Sequence, residues 1–171
     1  MQMVKKIFIL LFVAWFALLL FMPKQELYYK LEKELEKQGI EINEESIDEG
    51  LFTLKLNHAS VYVKGINVAT VEKVTFFTLL FYTRLKIEEL LIDDSLKNMV
   101  PQQTNKAEIE HSIFSAYTAS IKAEGSFGTI EGGANLKERT LHLNFVEAKE
   151  IESIKALLKK DEKGWYYETS F

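Results

Sequence analysis

Apolar and polar positions follow three regimes along this chain. Ile7 to Met22, IFILLFVAWFALLLFM, is a run of sixteen residues without a charge, preceded by Lys5 and Lys6 and stopped by Pro23 and Lys24. From Gln25 to Gln38 the apolar positions recur about every four residues. Leu27, Leu31 and Leu35 make the stripe, Tyr28 widens it, Glu26 can pair with Lys30, and Gly39 supplies a stop. This spacing predicts an amphipathic helix packed on the domain that follows. From Leu51 onward the period drops to two, the signature of strands with one face buried.

The strand region changes phase repeatedly. Phe52, Leu54 and Leu56 share one parity and Ala59, Val61 and Val63 the other, which predicts a bulge or bend around His58. Ile66 and Val68 likewise give way to Val71, Val74 and Phe76. Flips in consecutive strands predict a strongly coiled sheet. A strand should end near Phe77, TLLFYT should form a corner, and Arg84 to Asp93 should be the next strand. Residues 94–106 are polar, contain Pro101 and read as a flexible loop. The acidic stretch EINEESIDEG before Leu51 reads as a solvated loop, without the spacing of a calcium-binding one.

The clearest alternation follows. Tyr117 to Ala123, Ile130 to Leu136 and Leu141 to Phe145 predict a three-strand antiparallel meander with tight connections at GSFG and KER. One face of it carries Ala119, Ala123, Gly132 and Ala134, small side chains where Val or Ile would ordinarily fill space. Either a helix lies close against that face or the sheet curls and leaves a groove. A candidate helix exists, since Ile151, Ile154, Leu157 and Leu158 form a stripe in EIESIKALLKK. The corner residues Phe76, Leu79, Leu80, Phe81 and Tyr82 are too few to span a bilayer. Packing inside the domain is the simpler reading, and contact with lipid or a partner is the other.

The first sixteen-residue run reads as an uncleaved membrane anchor, residues 1–24, because LLLFMPKQE offers no small-x-small cleavage site. Lys5 and Lys6 place the N-terminus in the cytoplasm and residues 25–171, a single β-rich domain, outside it. The processing glycine and the glutamate of a pilin helix are missing from the segment. Net charge is −4 for the 171 residues, and −6 once Lys5 and Lys6 are set aside with the anchor, leaving 19 basic against 25 acidic side chains. That balance speaks against nucleic acid as a partner. With no cysteine, thiolate metal sites and disulfides are excluded.

No motif for catalysis emerges. His58, His111 and His142 have no paired spacing, GSFGTIEGG matches neither phosphate-binding glycine pattern, and Ser126 is not in a nucleophile elbow. The expectation is a non-enzyme without metal or cofactor.

The apolar anchor with PKQELYYKLEKELEKQGIEI, the long stretch from GLFTLKLNHASVYVKG to RLKIEELLID, AEGSFGTIEGGANLKERTLHLNF and the terminal GWYYETSF together resemble the type II secretion system protein N family. They are also similar to the wider AsmA-like envelope proteins. The resemblance implies a coiled, groove-like antiparallel sheet on a single inner-membrane anchor, with the domain in the periplasm. It implies a structural or assembly role beside other inner-membrane secretion or envelope proteins, and alternatively a lipid-binding or lipid-transfer module. No catalytic residue comes with it.

Overall fold

The computed structural model describes residues 2–96, 99–162 and 164–171. Helix α1 (Gln2–Leu20) carries the apolar run and is long and apolar enough to cross a membrane. At 1.5 Å per residue its 19 residues reach about 28 Å. Pro23 interrupts the helical hydrogen bonding and α2 (Lys24–Glu36) begins immediately after it. Eleven strands follow: β1 (Ile40–Asn43), β2 (Ser46–Glu49), β3 (Thr53–Val63), β4 (Ile66–Thr78), β5 (Tyr82–Ile92), β6 (Gln103–Ser112), β7 (Thr118–Gly125), β8 (Gly128–Asn135), β9 (Thr140–Ala148), β10 (Lys159–Asp161) and β11 (Gly164–Ser170).

They form one antiparallel sheet in the order β1-β3-β4-β5-β6-β7-β8-β9-β11-β10, with β2 also paired to β3 beyond the end of β1. Neighbouring strands from β3 to β9 are joined in sequence, so the sheet is built almost entirely from hairpins. Antiparallel pairing lets one face stay solvated. Thr53, Lys55, Lys73, Arg84, Lys86, Glu88, Glu108, Glu110, Lys122 and Glu131 occupy that polar face by register.

The phase changes appear as a line of kinks crossing the sheet. His58 lies at φ +49° and Glu89 at +50°, and by register both are level with Glu72 on the strand between them. The β3–β4 pairing keeps its register across His58, with Asn57 opposite Lys73 and Ala59 opposite Val71. Both strands therefore flip together, and the bend needs no residue inserted into one strand alone. The line continues as register shifts at Thr104/Lys106 and at Thr129/Ile130.

Four expectations are corrected. EINEESIDEG is not a loop but supplies β1 and β2, whose short alternation of Ile40, Ile42 and Ile47 with acids suits an edge. The polar segment ends earlier than residue 106, because Gln103 already starts β6; Lys97 and Asn98 within it lie outside the described residues. The C-terminal helix is replaced by a turn whose only helical part is the 3-10 segment Lys155–Leu157. Finally, α2 packs through Tyr28 and not through Leu27 and Leu31: both of these leucines are exposed and Leu35 is half-buried, while Tyr28 is buried against Leu54 and Leu56.

Among the described residues two small apolar clusters stand out, with Ala59, Ala69 and Val71 buried outside them. One joins Tyr28 to Leu54, Leu56, Ile47, Val74 and Phe76. The other joins Phe127, Phe145 and Ile151 with Ile154, Leu158 and Trp165 at the far end of the sheet. The chain exposes 11767 Å², against roughly 8600 Å² expected of a compact chain of 19.8 kDa. The exposed apolar side chains of α1 contribute to the excess.

Candidate functional site

Residues directly opposite each other across a ladder share a face, so the register defines the apolar face row by row. Leu54, Phe76, Leu85, Ile109, Ile121, Gly132, Leu143 and Tyr167 form one row from β3 to β11. Leu56, Val74, Ile87, Ala107, Ala123, Ile130, Phe145 and Trp165 form the next. Helix α2 covers the first end of these rows, and the 151–158 turn covers the last. Between them β5 to β8 present Leu85, Ile87, Ile109 and Ile121 only partly shielded, with Ile109 36% exposed. Four strands at about 4.8 Å spacing make this strip about 14 Å across.

The small residues expected on one face are brought together there. Ala119 stands opposite Ala134, and Gly132 opposite Ile121. Ala123 lies at the margin, packed against the Phe127/Phe145 cluster. Among the described residues no helix seats on Ala119 or Ala134; Ile151 and Ile154 cap the neighbouring cluster as turns, and Leu157 points away with 65% exposure.

The apolar corner divides three ways. Phe76 joins the apolar face beside Tyr28. Tyr82 turns to the polar face, where its hydroxyl donates to Glu110, a bond that raises the phenol's pKa, and where its ring meets Phe77 edge-on at 6.2 Å. Leu79, Leu80 and Phe81 form the hairpin tip, with Leu80 at φ +69°. This tip sits against α1: Trp15 donates its indole N–H to the Leu79 carbonyl at 3.2 Å and stacks on Phe81 at 5.7 Å between centroids. Beside the contact is an open apolar cleft of about 650 Å³, lined by Ala14, Ala17, Phe21, Met22 and Leu80 among others.

Sequence patterns missed Trp15, whose place in an apolar run hid its pairing role. They also missed Ile109, because β6 went unread.

The polar face carries paired charges. Arg84 reaches Glu108 at 3.4 Å, Lys122 reaches Glu131 at 3.1 Å, and Lys159 reaches Glu168 at 2.9 Å. Lys86 pairs with Glu88 and holds that carboxyl below its ordinary pKa. The three histidines stay apart. His58 bridges Glu45 and Glu72 at the kink, His111 approaches the Ala116 carbonyl, and His142 stacks on Tyr166. Among the described residues no group of three or more His, Cys, Asp or Glu is placed to hold a metal ion. No protein-family model matches the chain, and no curated protein or solved structure is significantly similar to it.

Proposed function

We propose that this is a single-anchor envelope protein, with α1 in the inner membrane and the sheet in the periplasm, whose apolar sheet face shelters lipid acyl chains without catalysing a reaction. The observation that carries the proposal is the strip from β5 to β8. A one-sided apolar sheet ordinarily buries that side under a second layer. Here α2 and the 151–158 turn shield only the two ends. The partly shielded middle is floored by Ala119, Ala134 and Gly132, small residues that leave depth above the backbone. The positive φ of His58 and Glu89, level with each other across β4, supports a sheet that bends along this line, as a groove-like form would need. The β4–β5 tip at one end of β5 touches α1 through Trp15, Leu79 and Phe81, which favours lipid as the apolar occupant.

The structural role in a type II secretion system is the second reading, and it would use the sheet edges to hold partners. Those edges are short: β10 has three residues, and β1 and β2 have four each. Short edges resist strand addition, which sets this reading behind the first.

The test is lipid mass spectrometry on the full chain purified in mild detergent. Stoichiometric phospholipid, lost in Ala134→Trp and in Ile109→Glu while both variants keep the wild-type circular dichroism, supports the proposal. A folded chain without bound lipid, or lipid unchanged in both variants, overturns it. Crosslinking in cells to secretion components would then favour the second reading.

A further inference from the structure

The ends of the strands differ in what they display. At the end where α1 meets the sheet, the β2–β3 connection exposes Leu51, the β4–β5 tip exposes Leu80, and the β6–β7 connection exposes Ile113 and Phe114. The β8–β9 turn exposes Leu136, and Phe171 follows β11. Phe114 is 87% exposed, which no packing role explains. By the antiparallel order all of these lie at one end of the sheet, spread over its full width. The connections at the other end carry Lys64, Asp93, Asp94, Lys149 and Glu150. Ile66, Met99 and Leu157 are exposed there too, but the contacts that α1 makes through Trp15 are with the opposite end.

The tip fixes how this end sits relative to α1. Trp15 is five residues before Leu20, the last residue of the helix, so the contact with Leu79 and Phe81 lies about 7 Å inside the apolar span. Backbone at that depth must have its polar groups satisfied within the protein. The tip meets this condition at four groups. Leu79 N–H donates to the Tyr82 carbonyl at 2.8 Å, and the Leu79 carbonyl accepts from Trp15. Leu80 N–H donates to the Thr78 hydroxyl at 3.1 Å, and the Phe81 carbonyl accepts from Ile113 N–H at 3.0 Å. The last bond ties the β6–β7 connection, with Phe114, to the same level. Tyr117 stands in that connection too, with Lys137 of the β8–β9 turn 5.8 Å above its ring. An aromatic ring beside a cation suits the headgroup level of a bilayer.

We propose that this rim is a membrane-contact surface. The tips carrying Leu80, Phe114 and Leu136 enter the leaflet from which α1 emerges, so the sheet stands on the bilayer with its apolar strip opening at the lipid surface. The inference rests on α1 spanning the membrane, and the occupant is the acyl and headgroup boundary of that same bilayer. Its continuity with the surface of α1 through the Ala14, Ala17, Phe21 and Leu80 cleft is the reason to choose lipid over a protein partner.

Because the chain has no cysteine, single nitroxide labels can be placed without background. Full-length Phe114→Cys, Leu136→Cys, Ile66→Cys and Leu11→Cys variants would be labelled and reconstituted in phosphatidylethanolamine and phosphatidylglycerol vesicles. Collision with oxygen and with a water-soluble nickel chelate then reports depth. The expected result is oxygen-dominated collision at positions 114 and 136, as at position 11, and nickel-dominated collision at position 66. Nickel-dominated collision at 114 and 136 overturns the rim, and so does shielding of both labels from both reagents, which would mean a protein partner covers them. If position 11 is itself nickel-accessible, the anchor reading has failed instead. Lipid bound to the strip is measured separately, so its loss leaves this result untouched.

Discussion

Gly132 lies so close to the neighbouring strand that a Cβ built on it would stand 2.0 Å from the carbonyl oxygen of His142 and 2.8 Å from the Cα of Leu143. Both obstacles are backbone atoms of β9, so no side-chain rotation relieves them. The same glycine is part of the floor of the uncovered strip. Gly132→Ala should therefore push β8 away from β9 and cost about 1–3 kcal/mol by overpacking. Urea unfolding of the full chain in micelles measures it, and a change below about 0.5 kcal/mol would show that the ladder has more slack than this geometry allows.

His58 holds the kink between Glu45, at 3.1 Å, and Glu72, at 2.9 Å, with its own backbone at φ +49°. Its side chain is 56% exposed, so these contacts are solvent-screened and contribute little. The backbone conformation is the stronger constraint. His58→Gly should stay within about 1 kcal/mol of wild type, because glycine adopts positive φ freely. His58→Val should cost about 1–3 kcal/mol, since a β-branched residue is strained there. Equal midpoints for the two variants would mean that the bend is not fixed by this residue.

How much of this was legible depended on which residues faced the apolar side. The meander β7 to β9 was readable because Ile121, Ile130, Leu143 and Phe145 alternate cleanly with polar neighbours. Strand β6 was not, since its inward positions Thr104, Ala107 and His111 are weakly apolar and leave Ile109 isolated. Only its pairing with Leu85 and Ile121 reveals the strand. Helical spacing misled twice. Ile151, Ile154 and Leu158 are spaced for a helix but cap a cluster from a turn. Leu27 and Leu31 are spaced for a buried stripe, yet the buried positions of the helix are Lys24, paired with Glu49, and Tyr28, bonded to Glu44. The small-residue face was legible by parity alone, whereas its lack of a cover was a tertiary fact. The docking of Trp15 on Leu79 joins residues 64 apart and left no local signal.

Strand β6 bonds to β5 on one side and β7 on the other, despite its loop-like composition. Amides of a doubly paired strand open only with the sheet. Hydrogen exchange over residues 103–112 should therefore be as slow as over β5, while residues 99–102 exchange quickly. Ile109→Pro should remove a ladder bond and break the sheet at its middle. Fast exchange throughout 103–112 in the wild-type chain would return this segment to a loop.

Tyr28 gives the chain an alkaline limit. Its hydroxyl donates to Glu44 Oε2 at 2.8 Å, and the residue is buried against Leu54 and Leu56. Burial first, then the bond to Glu44 and the nearby charges of Glu44 and Glu32, raise the phenol far above the ordinary value of 10.0. The same crowding raises Glu32, again through burial first and then Glu44 and Glu36. For a group raised in the folded state, the stabilisation is fully present below the unfolded value and is lost as pH climbs through the folded one. The unfolded chain ionises its tyrosine near pH 10 while the folded chain still holds the proton, so each further pH unit favours unfolding by about 1.4 kcal/mol. Tyr28→Phe removes both the bond and this titration. Near neutral pH the variant should be less stable by about 1.5–3 kcal/mol, the contribution of a hydrogen bond to a charged acceptor. The gap should hold constant up to about pH 10 and then close. Denaturant midpoints for the two chains from pH 7 to pH 11.5 supply the comparison, and a gap that stays constant above pH 10 would mean that Tyr28 ionises as readily in the folded chain as in the unfolded one.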